Sequence, residues 1–135
     1  MAVVLAGLMA LILTFGAKPA QASEAVVSEA RGYIGSAYDY SGYGWGYDCS
    51  EFTSLVLSQF GVSLADNPAT QYVSGTPSNG AAGDLVFYSE YGAGITHVGI
   101  ATGYGTVIHS SSYYGAVVES PIYEIPGYAG AVDVY

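Results

Sequence analysis

The sequence predicts an α+β domain whose helices pack on an antiparallel sheet. Segments with helical signals fill the first half of the chain, to about Val73, and short β-type runs between Gly-rich turns fill the second, from Leu85. The 135 residues, just over half of them apolar or aromatic, suit one domain with its own core. There is no internal repeat and no linker to a second domain in this stretch.

The chain opens with an unbroken run of apolar and small residues, Ala2 to Gly16, then Lys18, Pro19 and Ala20-Gln21-Ala22. A short apolar run before an A-x-A pattern reads as an export signal, and it is short for a membrane span. Residues 1–22 are therefore expected to be a signal peptide and 23–135 the mature domain. The competing reading is an uncleaved anchor. No cysteine lies near the cleavage pattern to carry a lipid, so no stable membrane anchor is expected after cleavage. The expected location is secreted or cell envelope, and a monomer is expected.

Ser23 to about Tyr33 reads as a helix, with Ala25, Val26, Ala30 and Tyr33 on overlapping faces and Gly32 and Gly35 limiting it. Residues 35–47 mix glycines with aromatics and read as a loop. Such a loop could present Tyr38, Tyr43 and Trp45 to a sugar or peptide. For all but Tyr38 the preferred reading is packing on the domain.

Tyr47-Asp48-Cys49-Ser50-Glu51 leads into Phe52, Leu55, Val56 and Phe60, spaced along one helical face, with Gly61 as the stop. Asp48 is a good N-cap, and Glu51 stands where a capping box wants a carboxylate. Cys49 therefore falls in the first turn, where free N–H groups and the positive end of the macrodipole favour a thiolate. The two carboxylates push the other way, so a base must also be supplied. The competing reading is a small buried core cysteine.

Asn67-Pro68 offers an N-cap followed by Pro at the first helical position, starting a short helix through Val73. Residues 74–83 read as loop. Leu85–Tyr88 is a strand, 89–96 a Gly-rich loop, and His97–Thr102 the next strand. Gly103-Tyr104-Gly105 turns the chain into a return strand, Thr106 to Ser110. Val117–Ser120 and Ala131–Tyr135 are weaker strands.

The net charge is −9, with Lys18 and Arg31 the only basic residues. Nothing could neutralise phosphates, so nucleic acid is excluded as a partner, and an anionic surface would repel the chain. Cys49 is the only cysteine, so no internal disulfide can form. In an exported protein an odd cysteine is a reactive thiol or an intermolecular link. The only histidines, His97 and His109, fall on strands joined by a tight hairpin. Whether they share a face depends on register, which the sequence leaves open. If they do, one can act as base and the other can orient it beside a thiol nucleophile. A zinc site of Cys49, His97 and His109 lacks any C-x-x-C or H-x-x-x-H spacing, and a serine hydrolase lacks a G-x-S-x-G elbow. No metal and no cofactor are expected.

From about Ala30 onward the chain resembles the NlpC family of bacterial cell-wall cysteine peptidases. Gly35-Ser-Ala-Tyr38-Asp-Tyr-Ser-Gly42 is similar to that family's G-x-P-Y-x-W-G-G. Tyr47-Asp48-Cys49-Ser50 is similar to its F-D-C-S-G, and Gly83-Asp84-Leu85-Val86-Phe87-Tyr88 to its P-G-D-L-V-F-F. His97-Val98-Gly99-Ile100 and Val107-Ile108-His109-Ser110 are similar to its H-V-G-I and I-H-A segments, and Gln71 falls where the family often has Gln. The resemblance implies a papain-like core with Cys49 as nucleophile at a helix N-terminus, His97 as base and His109 as third polar residue. It implies that Tyr38 and the Cys49 N–H help hold the oxyanion. Asp48 and Ser50 would border the subsite for the free amine of a peptidoglycan stem peptide, cut between D-γ-glutamate and a diamino acid. The alternatives are an amidase or acyltransferase on the same core, or a non-catalytic cell-wall peptide-binding module. Two departures stand out: Glu51 replaces the family's Gly after Cys-Ser, and Gly42 stands alone where two glycines are frequent.

Overall fold

The computed structural model describes residues 20–42 and 44–135. Most of the expected signal segment, residues 1–19, and Tyr43 lie outside the described residues. Among the described residues no helix is long and apolar enough to cross a membrane. Among the described residues the order is three α-helices, then six strands, with a 3-10 turn at Ile122–Glu124 before the last: α1 (Ala20–Arg31), α2 (Cys49–Ser58), α3 (Pro68–Tyr72), β1 (Thr76–Ser78), β2 (Leu85–Tyr88), β3 (His97–Ala101), β4 (Thr106–Ser111), β5 (Ala116–Pro121) and β6 (Tyr128–Asp133). The strands form one sheet in the order β1-β6-β2-β3-β4-β5, antiparallel throughout. The predicted α+β class holds.

The helices cover one face of the sheet. Val26, Val27 and Ala30 of α1 and Phe52, Val56 and Leu57 of α2 pack on Leu85, Phe87, Val98, Ile100, Ile108 and Val132. Residues of opposite parity, Val86, Tyr88, Ala101, Val107 and Ala131, form a smaller cluster on the other face, under Ile122 and Ile125. Both helical stripes differ from expectation. Ala25 is exposed and Val27 buried; Leu55 is half-buried and Leu57 fully buried. Val26, Ala30, Phe52 and Val56 are buried as expected, and each helix touches a neighbouring helix as well as the sheet, which widens its buried stripe to Val27 and Leu57.

Helix α2 ends at Ser58, earlier than the expected Phe60. Gly61 then takes φ +79° and turns the chain so that the Val62 N–H donates to the Leu57 carbonyl at 3.1 Å. Strand β1 lies in the stretch expected to be loop. It is three residues long, carries Pro77 and pairs only with β6, which explains why no local signal marks it. Strand β6 starts at Tyr128 rather than Ala131.

Gln71, fully buried on α3, pins the first turn of α2. Its Nε2 donates to the Ser50 carbonyl at 3.1 Å, to Ser54 Oγ at 3.0 Å and to the Ala65 carbonyl at 2.8 Å; its Oε1 accepts from Thr53 Oγ1 at 2.7 Å. An apolar side chain here orphans several buried groups at once. Gln71→Leu is expected to lower unfolding free energy by about 2–4 kcal/mol, read by denaturant titration; a loss below about 0.5 kcal/mol would show that water replaces the amide.

Candidate active site

The site is built around the start of α2. Asp48 is extended at the N-cap, and the capping box is complete: Asp48 Oδ1 accepts from the Glu51 N–H at 2.8 Å, and Glu51 Oε1 from the Asp48 N–H at 3.2 Å. Cys49 is thus the first helical residue, as expected. The chain entering it is tied to β4, since Ser110 Oγ donates to the Tyr47 carbonyl at 2.6 Å. The loop before it is folded around Asp39, whose carboxylate accepts from the N–H groups of Ser41, Gly42 and Gly44 and from Ser41 Oγ. These bonds, that from Gly44 foremost, hold the Asp39 carboxyl below the usual carboxylate range.

The thiol meets the sheet at the start of β3. Strands β3 and β4 pair at Ile100–Ile108 and Ala101–Val107, and the ladder stops short of the start of β3. Cys49 Sγ lies against this start of β3. It donates to the Thr96 carbonyl at 3.9 Å and accepts from the Val98 and Ser50 N–H groups. The sulfur therefore contacts the backbone on either side of His97.

The register that the sequence left open places His109 level with Gly99, two residues from His97, so both imidazoles share a face. Their parity is that of Ala101 and Val107, the face away from α1 and α2. The thiol, on a helix of the other face, reaches the backbone on either side of His97. His97 Nε2 lies 2.8 Å from His109 Nδ1, and His109 Nε2 lies 2.9 Å from Ser120 Oγ. The first distance is that of a hydrogen bond; two nitrogens on one tetrahedral zinc stand about 3.3 Å apart. Gly99 makes the approach possible. A Cβ there would lie 2.5 Å from Val107 Cγ2 and 2.9 Å from His109 Cβ. Sequence reasoning missed Ser120 and Gly99, although a glycine inside a strand signals close approach.

Burial works against the expected thiolate. Burial pushes the Cys49 thiol up to about 12; the Val98 N–H opposes this, and Asp48 and Glu90 add to it. Burial draws His97 down to about 4, and burial with His97 alongside draws His109 down to about 3. Desolvation thus outweighs the helix terminus. The Cys49 thiol donates to the Thr96 carbonyl and makes no hydrogen bond to His97. Burial thus disfavours the charged form of all three groups.

Tyr38 lies near the thiol. Burial, then the nearby Cys49 and Asp48, push its phenol up to about 12, so it stays a hydroxyl donor. Its ring packs on Tyr40, with centroids 4.7 Å apart. Ser50, buried, donates to Asp66 Oδ1 at 2.6 Å and to Asp48 Oδ1 at 3.3 Å. Of the aromatics read as packing inward, Trp45 is instead exposed.

Burial first, and then neighbours including the Asp48 and Asp66 carboxylates, hold the Glu51 carboxyl above its usual range. A raised folded pKa stabilises the protein below the unfolded value and loses that contribution as pH rises through the folded value. At pH 7 Glu51→Gln keeps the capping bond and sheds the like-charge contact, so it should melt at or above wild type. Glu51→Gly should lose about 0.5–1 kcal/mol. Melting temperatures decide; a Gly variant as stable as wild type would leave the box without a stabilising role.

Two neutral proton arrangements satisfy the imidazole chain, and in only one does His97 Nδ1 remain an acceptor. In that one His97 Nε2–H donates to His109, and His109 Nε2–H donates to Ser120 Oγ. Ser120→Ala removes the last acceptor. It should lower kcat about tenfold and leave KM within about twofold, with the Ser120→Thr variant retaining most of the rate. An unchanged kcat would place Ser120 outside the chain.

A cysteine at a helix N-terminus set against an antiparallel sheet beside paired histidines defines a papain-like α+β domain. Residues 35–128 match the NlpC/P60 family, and the chain belongs to it. The chain is 46% identical over 88 residues to a probable endopeptidase p60 of Listeria grayi, covering 62% of this chain and 17% of that protein. It is 44% identical over 104 residues to a probable endopeptidase of Corynebacterium glutamicum, covering 70% of this chain and 46% of that one. A gamma-DL-glutamyl hydrolase of Bacillus subtilis is 38% identical over 102 residues, covering 70% of this chain and 25% of that protein. The chain thus spans less than half the length of these relatives. Among solved structures, the NlpC/p60 domain of the peptidoglycan hydrolase SagA matches with a TM-score of 0.70 and 34% identity, over 82% of this chain and 97% of that one. The fold is also that of RipD of Mycobacterium tuberculosis, a non-catalytic NlpC/p60 protein, with a TM-score of 0.71 at 20% identity, over 84% of this chain and 97% of that one.

Proposed function

We propose that this chain is an exported cysteine endopeptidase that hydrolyses peptidoglycan stem peptides between D-γ-glutamate and a diamino acid. Cys49 is the nucleophile, His97 the base and His109 the residue that orients it. The observation that carries the reading is the His97–His109–Ser120 chain ending where the Cys49 sulfur meets the sheet. The family membership and the relatives named as endopeptidases and as a gamma-DL-glutamyl hydrolase support it.

The neutral resting state defines the order of events. His97 Nδ1 takes the thiol proton as sulfur attacks the amide carbon, so charge forms only with substrate in place. The Val98 and Ser50 N–H groups then face a developing thiolate. The Tyr38 hydroxyl and the Cys49 N–H, free in the first helical turn, hold the oxyanion. His97 returns its proton to the departing amine, and water releases the acyl group. Asp48 and Asp66 supply negative charge beside the acyl side, with the Ser50 hydroxyl between them, fitting a free peptide amine there.

Digesting purified peptidoglycan and weighing the fragments tests this. Wild type should release fragments ending in D-γ-glutamate, and the Cys49→Ala protein none. Binding of stem peptides without cleavage by wild type would make the chain a binding module of the kind RipD is named for.

A further inference from the structure

A cavity of about 580 Å³ opens beside the two imidazoles. His97 and His109 line it and Cys49 does not. The imidazole that takes the thiol proton gives it to the departing amine, so the leaving side of the substrate faces His97 and this cavity. That placement rests on the endopeptidase reading above.

The walls have one sign of charge. Glu90 and Glu124 line the cavity together with the rings of Tyr91, Tyr113 and Tyr114. Both carboxylates are held in place: Thr96 Oγ1 donates to Glu90 Oε1 at 3.0 Å, and the Tyr114 hydroxyl donates to Glu124 Oε1. The charge of Glu90 reaches the Cys49 thiol, and that of Glu124 reaches His109. Among the described residues no basic side chain lines the cavity. Arg31 is bonded to Glu119 at 3.1 Å, and Lys18, the only other basic residue, lies outside the described residues.

We infer that this cavity selects a leaving-side residue with a free side-chain amine and no second carboxylate, a diamino monocarboxylic acid such as lysine. Two carboxylates attract the ammonium, and exposed tyrosine faces receive it by cation–π contact. A diamino dicarboxylic residue brings a carboxylate to the same place, where it meets Glu90 and Glu124 and finds no cation. Selection therefore comes from repulsion as much as from attraction.

Three γ-D-glutamyl peptides test this, ending in lysine, Nε-acetyl-lysine and meso-diaminopimelate. Dissociation constants are measured on the Cys49→Ala protein at low salt, and kcat/KM on wild type. The lysine peptide should bind about fivefold to tenfold more tightly than either other peptide. The preference should shrink to about twofold or less in a Glu90→Gln, Glu124→Gln double variant of the same protein. A diaminopimelate peptide bound as tightly as the lysine peptide overturns the inference. So does a preference that survives the double substitution, or binding of none of the three. If Cys49→Ala binds with the expected preference and wild type cleaves nothing, the endopeptidase reading falls and charge selection stands. If wild type cleaves all three alike, the reverse holds.

Discussion

Cys49→Ala is expected to abolish peptide hydrolysis, and the pH profile of wild type is expected to show which group controls the proton. In the free protein the thiol is pushed up to about 12 and His97 drawn down to about 4. The rate needs uncharged His97 and does not need a free thiolate. It should therefore rise through about pH 4 and stay level across neutrality, with no second rise between pH 8 and 9 where an ordinary thiol ionises. Alkylation of free Cys49 by iodoacetamide needs the thiolate and should keep rising above that range. An alkylation inflection well below 8.5 would show a thiolate–imidazolium pair instead. The same burial makes the fold acid-sensitive. A histidine drawn below its ordinary 6.5 is uncharged in the folded protein and charged in the unfolded chain as pH falls. Stability should drop from about pH 6.5 downward through about pH 4, with His97 and His109 both contributing.

Gly99→Ala should damage stability and catalysis together, although residue 99 touches no substrate. The new Cβ would lie 2.5 Å from Val107 Cγ2, 2.9 Å from His109 Cβ and 3.0 Å from the Ile108 carbonyl oxygen. Two of these atoms belong to packed side chains and the third to the neighbouring strand. Relief means spreading β3 from β4, which moves His109 off His97. The expected cost is about 1–3 kcal/mol in unfolding free energy and about 100-fold or more in kcat, as for a misplaced catalytic group. Denaturant melts and kinetics at a temperature where the variant stays folded separate the two effects. A variant that is less stable but fully active would show that the imidazole pair tolerates a wider strand spacing.

What the sequence determined is what depends on near neighbours in the chain. The capping box of Asp48 and Glu51, the place of Cys49 in the first turn, and the hairpin at residues 103–105 rest on spacings of a few residues, and local signals report them. The order of motifs along the chain also sufficed to mark Cys49, His97 and His109 as candidates. Only the tertiary structure decided whether these groups meet. The β3–β4 register puts the imidazoles on one face, and the thiol, on a helix of the other face, contacts the backbone at Thr96. It also decided their charge. The helix terminus that favours thiolate is local and legible, whereas the desolvation that outweighs it comes from the packed core, strands distant in sequence among it. Strand β1 and the partner role of Ser120 are of the same kind. Each depends on a pairing across many residues, β1 with β6 and Ser120 with His109, and neither leaves a local pattern. Local backbone preference is written in the adjacent side chains; burial and long-range register are properties of the assembled sheet.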